Sequence, residues 1–163
     1  KEGRIVSAAS NRTGDEMPAP ELTGLASWIN SEPVTLESLR GKVVLVNFWT
    51  YACINCQRTL PYVKEWHRKY ADEGLVILGI HTPEFGFEKV RDNVIEAVED
   101  WGLEYAVAQD NDKKTWRAYM NRWWPAKYLI DKDGYIRDFH KGEGQYQQTE
   151  QKIKELLAEV PST

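Results

Sequence analysis

Cysteine is scarce in this 163-residue chain: Cys53 and Cys56 are the whole complement. Two thiols three positions apart close too small a loop to staple a fold, which excludes a disulfide scaffold. Histidine is sparse as well, with His67, His81 and His140 scattered along the chain. The four-ligand grouping of a structural zinc site is therefore missing, and no metal site is expected. Long apolar runs are lacking too. Leu75-Val76-Ile77-Leu78-Gly79-Ile80 is among the longest, far short of the roughly 20 residues that span a bilayer. No basic stripe stands out, since 21 Lys and Arg are interspersed with 25 Asp and Glu for a net charge of −4. That balance leaves no nucleic-acid footprint.

What remains is ordinary for a globular protein with a sizeable core: 42% hydrophobic and 28% charged residues, in a length that suits one domain. The chain opens at Lys1 with no charged-then-apolar leader. The expectation is a leader already removed, or a piece of a longer protein.

The most informative segment is Val43-Val44-Leu45-Val46-Asn47-Phe48-Trp49-Thr50-Tyr51-Ala52-Cys53-Ile54-Asn55-Cys56. An apolar, strand-like run leads straight into Cys-x-x-Cys, and a helical pattern follows. The first thiol then falls at a helix amino end, where free N–H groups and the helix dipole favour an anion. A thiol so placed ionises near neutral pH and becomes a nucleophile. Cys56 lies on the same helix face and is positioned to attack Cys53 in turn. Dithiol–disulfide exchange with another protein is the chemistry this pattern serves. The dissociable organic cofactor is absent from that chemistry, because the cysteine pair carries the electrons.

Periodicity sets out the rest. Residues 1–20 are polar, with Gly14, Pro18 and Pro20, and read as a flexible or extended lead-in to a domain over 21–163. Residues 22–39 read as a short strand pair or a loop. A buried strand is predicted over 43–49, a helix over 53–70 kinked at Pro61, and a second buried strand over 75–81. A helix over 87–101 follows, with Val90, Val94, Val98 and Trp101 on one face. Then come a strand over 105–108, a short helix over 112–120, strands over 126–130 and 135–139, and a last helix over 147–160. Asp131-Lys132-Asp133-Gly134 signals the hairpin between the final two strands. The order β, α, β, α, β, α, β, β, α implies an α/β three-layer sandwich, its mixed central sheet flanked by helices.

These segments resemble a known group. Phe48 to Cys56, with Pro61 beyond it, is similar to the active-site segment of the thioredoxin superfamily, and Trp124-Pro125-Ala126-Lys127-Tyr128-Leu129-Ile130-Asp131 to that family's cis-proline strand. The extra strand and helix over about 84–110 resemble the insertion of the TlpA/ResA-like branch. Cys-Ile-Asn-Cys with His81-Thr82-Pro83-Glu84-Phe85, Asp110-Asn111-Asp112 and Gly142-Glu143-Gly144 is most similar to the soluble thioredoxin-like domain of DipZ-type proteins. The resemblance implies an extracytoplasmic thiol-disulfide oxidoreductase, a reductase of exported protein disulfides. A CcdA-like membrane carrier would feed it, with this chain free or a domain of a larger membrane protein. A monomer is expected.

The resemblance implies Cys53 as nucleophile, Cys56 as resolving thiol, and Ile54 and Asn55 as tuners of the redox poise. With no positive charge between the cysteines, a reducing couple is expected. A cis bond before Pro125 would hold the Trp124 backbone beside Cys53 for a substrate strand. Trp49, Tyr51, Trp123 and Trp124 are expected to form an aromatic collar, with Trp49 also packing in the core. Many cytosolic thioredoxins carry a buried Asp where this chain has Asn47, and an amide cannot take a proton. Glu84 is the candidate proton acceptor in its place, with Glu88 as competitor. Two rivals remain. A peroxiredoxin-like thiol peroxidase wants Pro-x-x-x-Thr-x-x-Cys, and here Thr50 fits while Val46 stands where Pro belongs. A Cu(I) carrier would use Cys53 and Cys56 with His81 or His140.

Overall fold

The computed structural model describes residues 9–162; the first eight residues of the predicted lead-in lie outside it. Six strands form one sheet: β1 (Ala26–Ile29), β2 (Val43–Trp49), β3 (Leu75–His81), β4 (Ala106–Gln109), β5 (Ala126–Ile130) and β6 (Ile136–Lys141). Their order across the sheet is β1-β4-β3-β2-β5-β6. β2 pairs parallel with β3 and antiparallel with β5. The parallel half comes from helical crossovers, and the antiparallel half from the hairpin at the end.

Helices α1 (Ile54–Tyr70), α2 (Arg91–Trp101), α3 (Lys114–Ala118) and α4 (Tyr146–Ala158) cover both faces. Every residue of β2 is buried, which explains a run that is apolar except at Asn47. Alternate side chains divide between two cores. Val43, Leu45 and Trp49 meet Leu60, Val63 and Trp66 of α1, Val94 and Val98 of α2, and Ile153 and Leu156 of α4. Val44, Val46 and Phe48 meet Leu36, Trp116 and Tyr119 on the opposite face. Phe48 is gripped edge-on by Trp116, Tyr119 and Tyr128, with centroids 5.6–5.7 Å away.

The described part of the lead-in is extended and tethered. Pro18 bridges Tyr135, Ala19 N–H donates to Gly134 O at 2.8 Å, and Ile136 N–H to Met17 O at 2.9 Å. The Arg12 guanidinium lies 3.9 Å from the centre of the Tyr135 ring.

Several boundaries differ from the periodicity. The strand pair or loop over 22–39 resolves into one strand, β1, antiparallel to β4, followed by a 3₁₀ turn, Glu37–Leu39. The helix predicted over 87–101 breaks at Val90, which is extended, so a 3₁₀ turn, Gly86–Lys89, precedes α2. The helix predicted over 112–120 shrinks to the five residues of α3, because Lys113 is left-handed. α1 runs through the exposed Pro61 as one assigned helix.

Candidate functional site

β2, in the middle of the sheet, carries the chain to the sheet's end at its own carboxyl terminus, and α1 starts immediately after Cys53. The Cys53 backbone is extended (φ −86°, ψ 118°), which makes it the N-cap of α1. Its Sγ accepts the Cys56 N–H at 3.3 Å. A sulfur in that place satisfies a donor the helix itself leaves free, and does so best as an anion. The Cys56 thiol holds Cys53 down at about 6. Partial burial opposes it, the N–H groups of Cys56 and Asn55 assist, and the charge of Glu84 works weakly against it.

Cys56, one turn further in, is completely buried. Burial drives its thiol far above the ordinary range, and the hydrogen bond and charge of Cys53 add to that. Two identical groups are thus split into an accessible thiolate and a shielded thiol, both unbridged. Ile54, 58% exposed, and the exposed Asn55 project between them into solvent.

The second wall of the site is the start of β5. The Trp124–Pro125 peptide is cis, and the protonated Cys53 thiol points at Trp124 O, 3.8 Å away. Pro125 is buried beneath, and Trp124 is half-buried. Trp123 stays open to solvent, its ring 5.7 Å from Phe139. Tyr51 stacks on His81 at 5.6 Å and donates its hydroxyl to Phe87 O at 3.2 Å.

The structure corrects two expectations. Trp49 was expected in the collar but is 0% exposed. It sits on a β2 position that points into the α1 core, so its indole supports the site and presents no face to a partner. Glu84, the candidate proton acceptor, would have to lie buried beneath the cysteines for that role, yet it is exposed, because the chain leaves β3 towards solvent after Pro83. The buried carboxylate is Glu88. Its Oε1 accepts the N–H groups of Glu84 and Phe85 at 2.7 and 2.9 Å, which caps the 3₁₀ turn. Its Oε2 has no partner among the described residues.

Two further groups line the site: His81, weighed from sequence as a copper ligand, and Lys127, to which sequence reasoning gave no role. His81 is wholly buried; its Nε2 accepts the Tyr51 N–H at 3.2 Å and lies 3.3 Å from Thr50 Oγ1. Burial pulls its imidazole down to about 4, partly offset by Glu88, so it is neutral near pH 7. Lys127 is 2% exposed, and Asn47 is fully buried opposite it in the β2–β5 ladder. The available signal was a lysine inside the apolar strand Ala126-Lys127-Tyr128-Leu129-Ile130. Among the described residues, no group of three or more His, Cys, Asp and Glu is arranged to hold a metal ion.

Comparison with known proteins adds four likenesses. The AhpC/TSA family profile matches residues 13–139. Protein DipZ of Mycobacterium tuberculosis (strain CDC 1551 / Oshkosh) is 49% identical over 142 residues, 85% of this chain and 20% of that protein. The chain therefore spans about a fifth of that relative's length. The thiol-disulfide oxidoreductase YkuV of Bacillus subtilis (strain 168) is 33% identical over 144 residues, 88% of this chain and 96% of the relative. The crystal structure of a thioredoxin-like superfamily protein superposes with a TM-score of 0.83 at 27% identity, covering 90% of this chain and 99% of the other.

Proposed function

The chain belongs to the thioredoxin-like AhpC/TSA family, and on that premise we propose that it reduces disulfides of extracytoplasmic proteins. Its enzymatic class is thiol-disulfide oxidoreductase. The observation that carries the exchange chemistry is the geometry of the pair: Cys53 Sγ sits partly exposed at the N-cap of α1 and accepts the Cys56 N–H at 3.3 Å, while Cys56 is completely buried.

The Cys53 thiolate attacks one sulfur of a substrate disulfide. A mixed disulfide forms, and the other substrate sulfur leaves as a thiolate. Cys56 then gives up its proton and attacks Cys53 Sγ, closing the internal bridge and releasing the second substrate thiolate. Two electrons have passed to the substrate. The backbone of Trp124 beside Cys53 and the exposed Ile54 offer an extended peptide a polar edge and an apolar contact. A CcdA-like membrane carrier would return the protein to its dithiol form, a role supported by the likeness to DipZ.

Cys56→Ser tests the reading directly. It should leave exported proteins covalently held on Cys53, released by dithiothreitol; the absence of any mixed disulfide would overturn it. The direction of flow is tested by the reduction potential. A value nearer thioredoxin (about −270 mV) than DsbA (about −120 mV) is expected, and one near the latter would reverse the assignment. Hydrogen peroxide consumption by the dithiol protein would favour the peroxidase rival. Tight one-to-one Cu(I) binding would favour the copper carrier.

A further inference from the structure

Lys127 is the residue that a sequence-based folding argument would least place where it stands. It lies mid-strand in β5, directly opposite Asn47 on β2 and opposite His140 on β6. Residues paired across antiparallel strands point to the same face, with Cβ atoms roughly 5 Å apart. Leu129, two residues on, belongs to the core on the α1 side, so Lys127 and Asn47 both point beneath the amino end of α1, towards buried Cys56. Gly79, the β3 neighbour of Asn47, brings no side chain to this place.

The Lys127 ammonium has no hydrogen-bond partner among the described residues, and neither does the Asn47 amide, at Oδ1 or Nδ2. Unpartnered buried polar groups are costly, so a pair of them under the reactive thiols calls for a role. The other groups facing Lys127 are Cys56 on α1, His140 on β6, Glu143 in the turn after β6, and Tyr146 on α4, whose ring centre is 5.9 Å from Nζ. Glu143 is itself paired with Arg58 at 3.5 Å. No carboxylate reaches Nζ. Desolvation pulls the amine down to about 8, with Cys56 and Glu143 opposing it, so a working fraction is neutral near physiological pH.

We infer that the neutral amine of Lys127 is the base that deprotonates Cys56 in the resolving step. This rests on the dithiol-exchange reading above. The transfer balances: Cys56–SH and Lys127–NH2 become Cys56–S⁻ and Lys127–NH3⁺. The thiolate's electron pair forms the bond to Cys53 Sγ as the bond from Cys53 to the substrate sulfur breaks. The substrate leaves as a thiolate, and the lysine proton passes to water when the site reopens. Asn47, unable to take a proton, leaves this task to its cross-strand neighbour.

The test uses the full chain, reduced and mixed rapidly with excess 5,5′-dithiobis(2-nitrobenzoate). The first nitrothiobenzoate released reports attack by Cys53, and the second reports resolution by Cys56. The ratio of second to first rate isolates the step assigned to Lys127. In the unsubstituted protein that ratio should rise with pH through a midpoint near 8. Lys127→Met should lower it at least tenfold at pH 8 and remove the midpoint. Lys127→Gln is the second neutral variant, should Met fail to fold. Lys127→Arg, a permanent cation, should be as slow as Met. The inference is overturned if a neutral variant keeps the ratio and its pH profile, or if Arg restores the rate, since charge alone would then suffice. Failure of dithiol exchange itself looks different: the unsubstituted protein would release no second equivalent.

Discussion

Trp124 donates its indole N–H to Thr82 O at 2.7 Å. From there the contacts close into a ring. Thr82 Oγ1 donates to Asp110 Oδ2 at 2.9 Å, Asp110 accepts the N–H groups of Thr115 and Trp116 at 3.1 and 3.0 Å, and Trp116 returns to Trp124 with ring centres 4.2 Å apart. The loop after β3, the start of α3 and the substrate-facing strand end are thereby fixed to one another through a buried carboxylate.

Asp110→Asn turns one acceptor of that ring into a donor facing donors. The expected loss is about 1–3 kcal/mol of stability, read from urea denaturation, with a change in tryptophan fluorescence as Trp124 loosens. An unaltered midpoint and spectrum would show that the ring does not hold the strand.

Alkylation of Cys53 by iodoacetamide should be half-maximal near pH 6, where its thiol is held by Cys56 and the helix N–H groups. A free cysteine reaches that point at about 8.5. Cys56 should stay unmodified in the folded protein at every pH short of unfolding. Mass spectrometry of the singly labelled product distinguishes the two.

His81 should make the protein acid-labile. Its imidazole is kept near 4 in the fold by burial and rises to about 6.5 on unfolding. Between those values the unfolded chain binds the extra proton, so stability falls as pH drops through the window, by about 3 kcal/mol in all. The comparison is best made on the oxidised protein, where Cys53 no longer titrates. His81→Asn should flatten the slope between pH 6.5 and 4; an unchanged slope would assign the acid loss to other groups.

Gly79→Ala places a methyl group 3.0 Å from Tyr105 Cε1, 3.1 Å from Trp49 Nε1 and 3.3 Å from Val107 Cγ2. Such overpacking costs about 1–3 kcal/mol. The indole of Trp49 must shift, and it lies under the cysteines, so the thermal midpoint and the alkylation rate of Cys53 should fall together. A loss of stability alone would separate Trp49 from the site.

The central strands were legible because β2 and β3 are buried on both faces, and short, nearly continuous runs of β-branched and other apolar residues mark such strands. The cysteine pair was legible because local order carries it (strand, cap, helix), and Trp124-Pro125 was legible only through the resemblance of its segment to the family's cis-proline strand. What escaped depended on distant partners. Glu88 was weighed as the competitor of Glu84, but its place becomes legible only once its oxygen is seen capping a turn that Val90 separates from α2. Lys127 reads as a strand residue until the antiparallel register sets it against Asn47. Glu84 reads as a buried acid only if the chain turns inward after Pro83, and nothing local decides which way it turns.

The seclusion of Cys56 also governs how this protein wears. Peroxide can meet only the outer sulfur, where it produces a sulfenic acid. The inner thiol, already in contact with that sulfur, condenses with it to a bridge before a second oxidant arrives. Damage is diverted into a form that the next pair of electrons repairs.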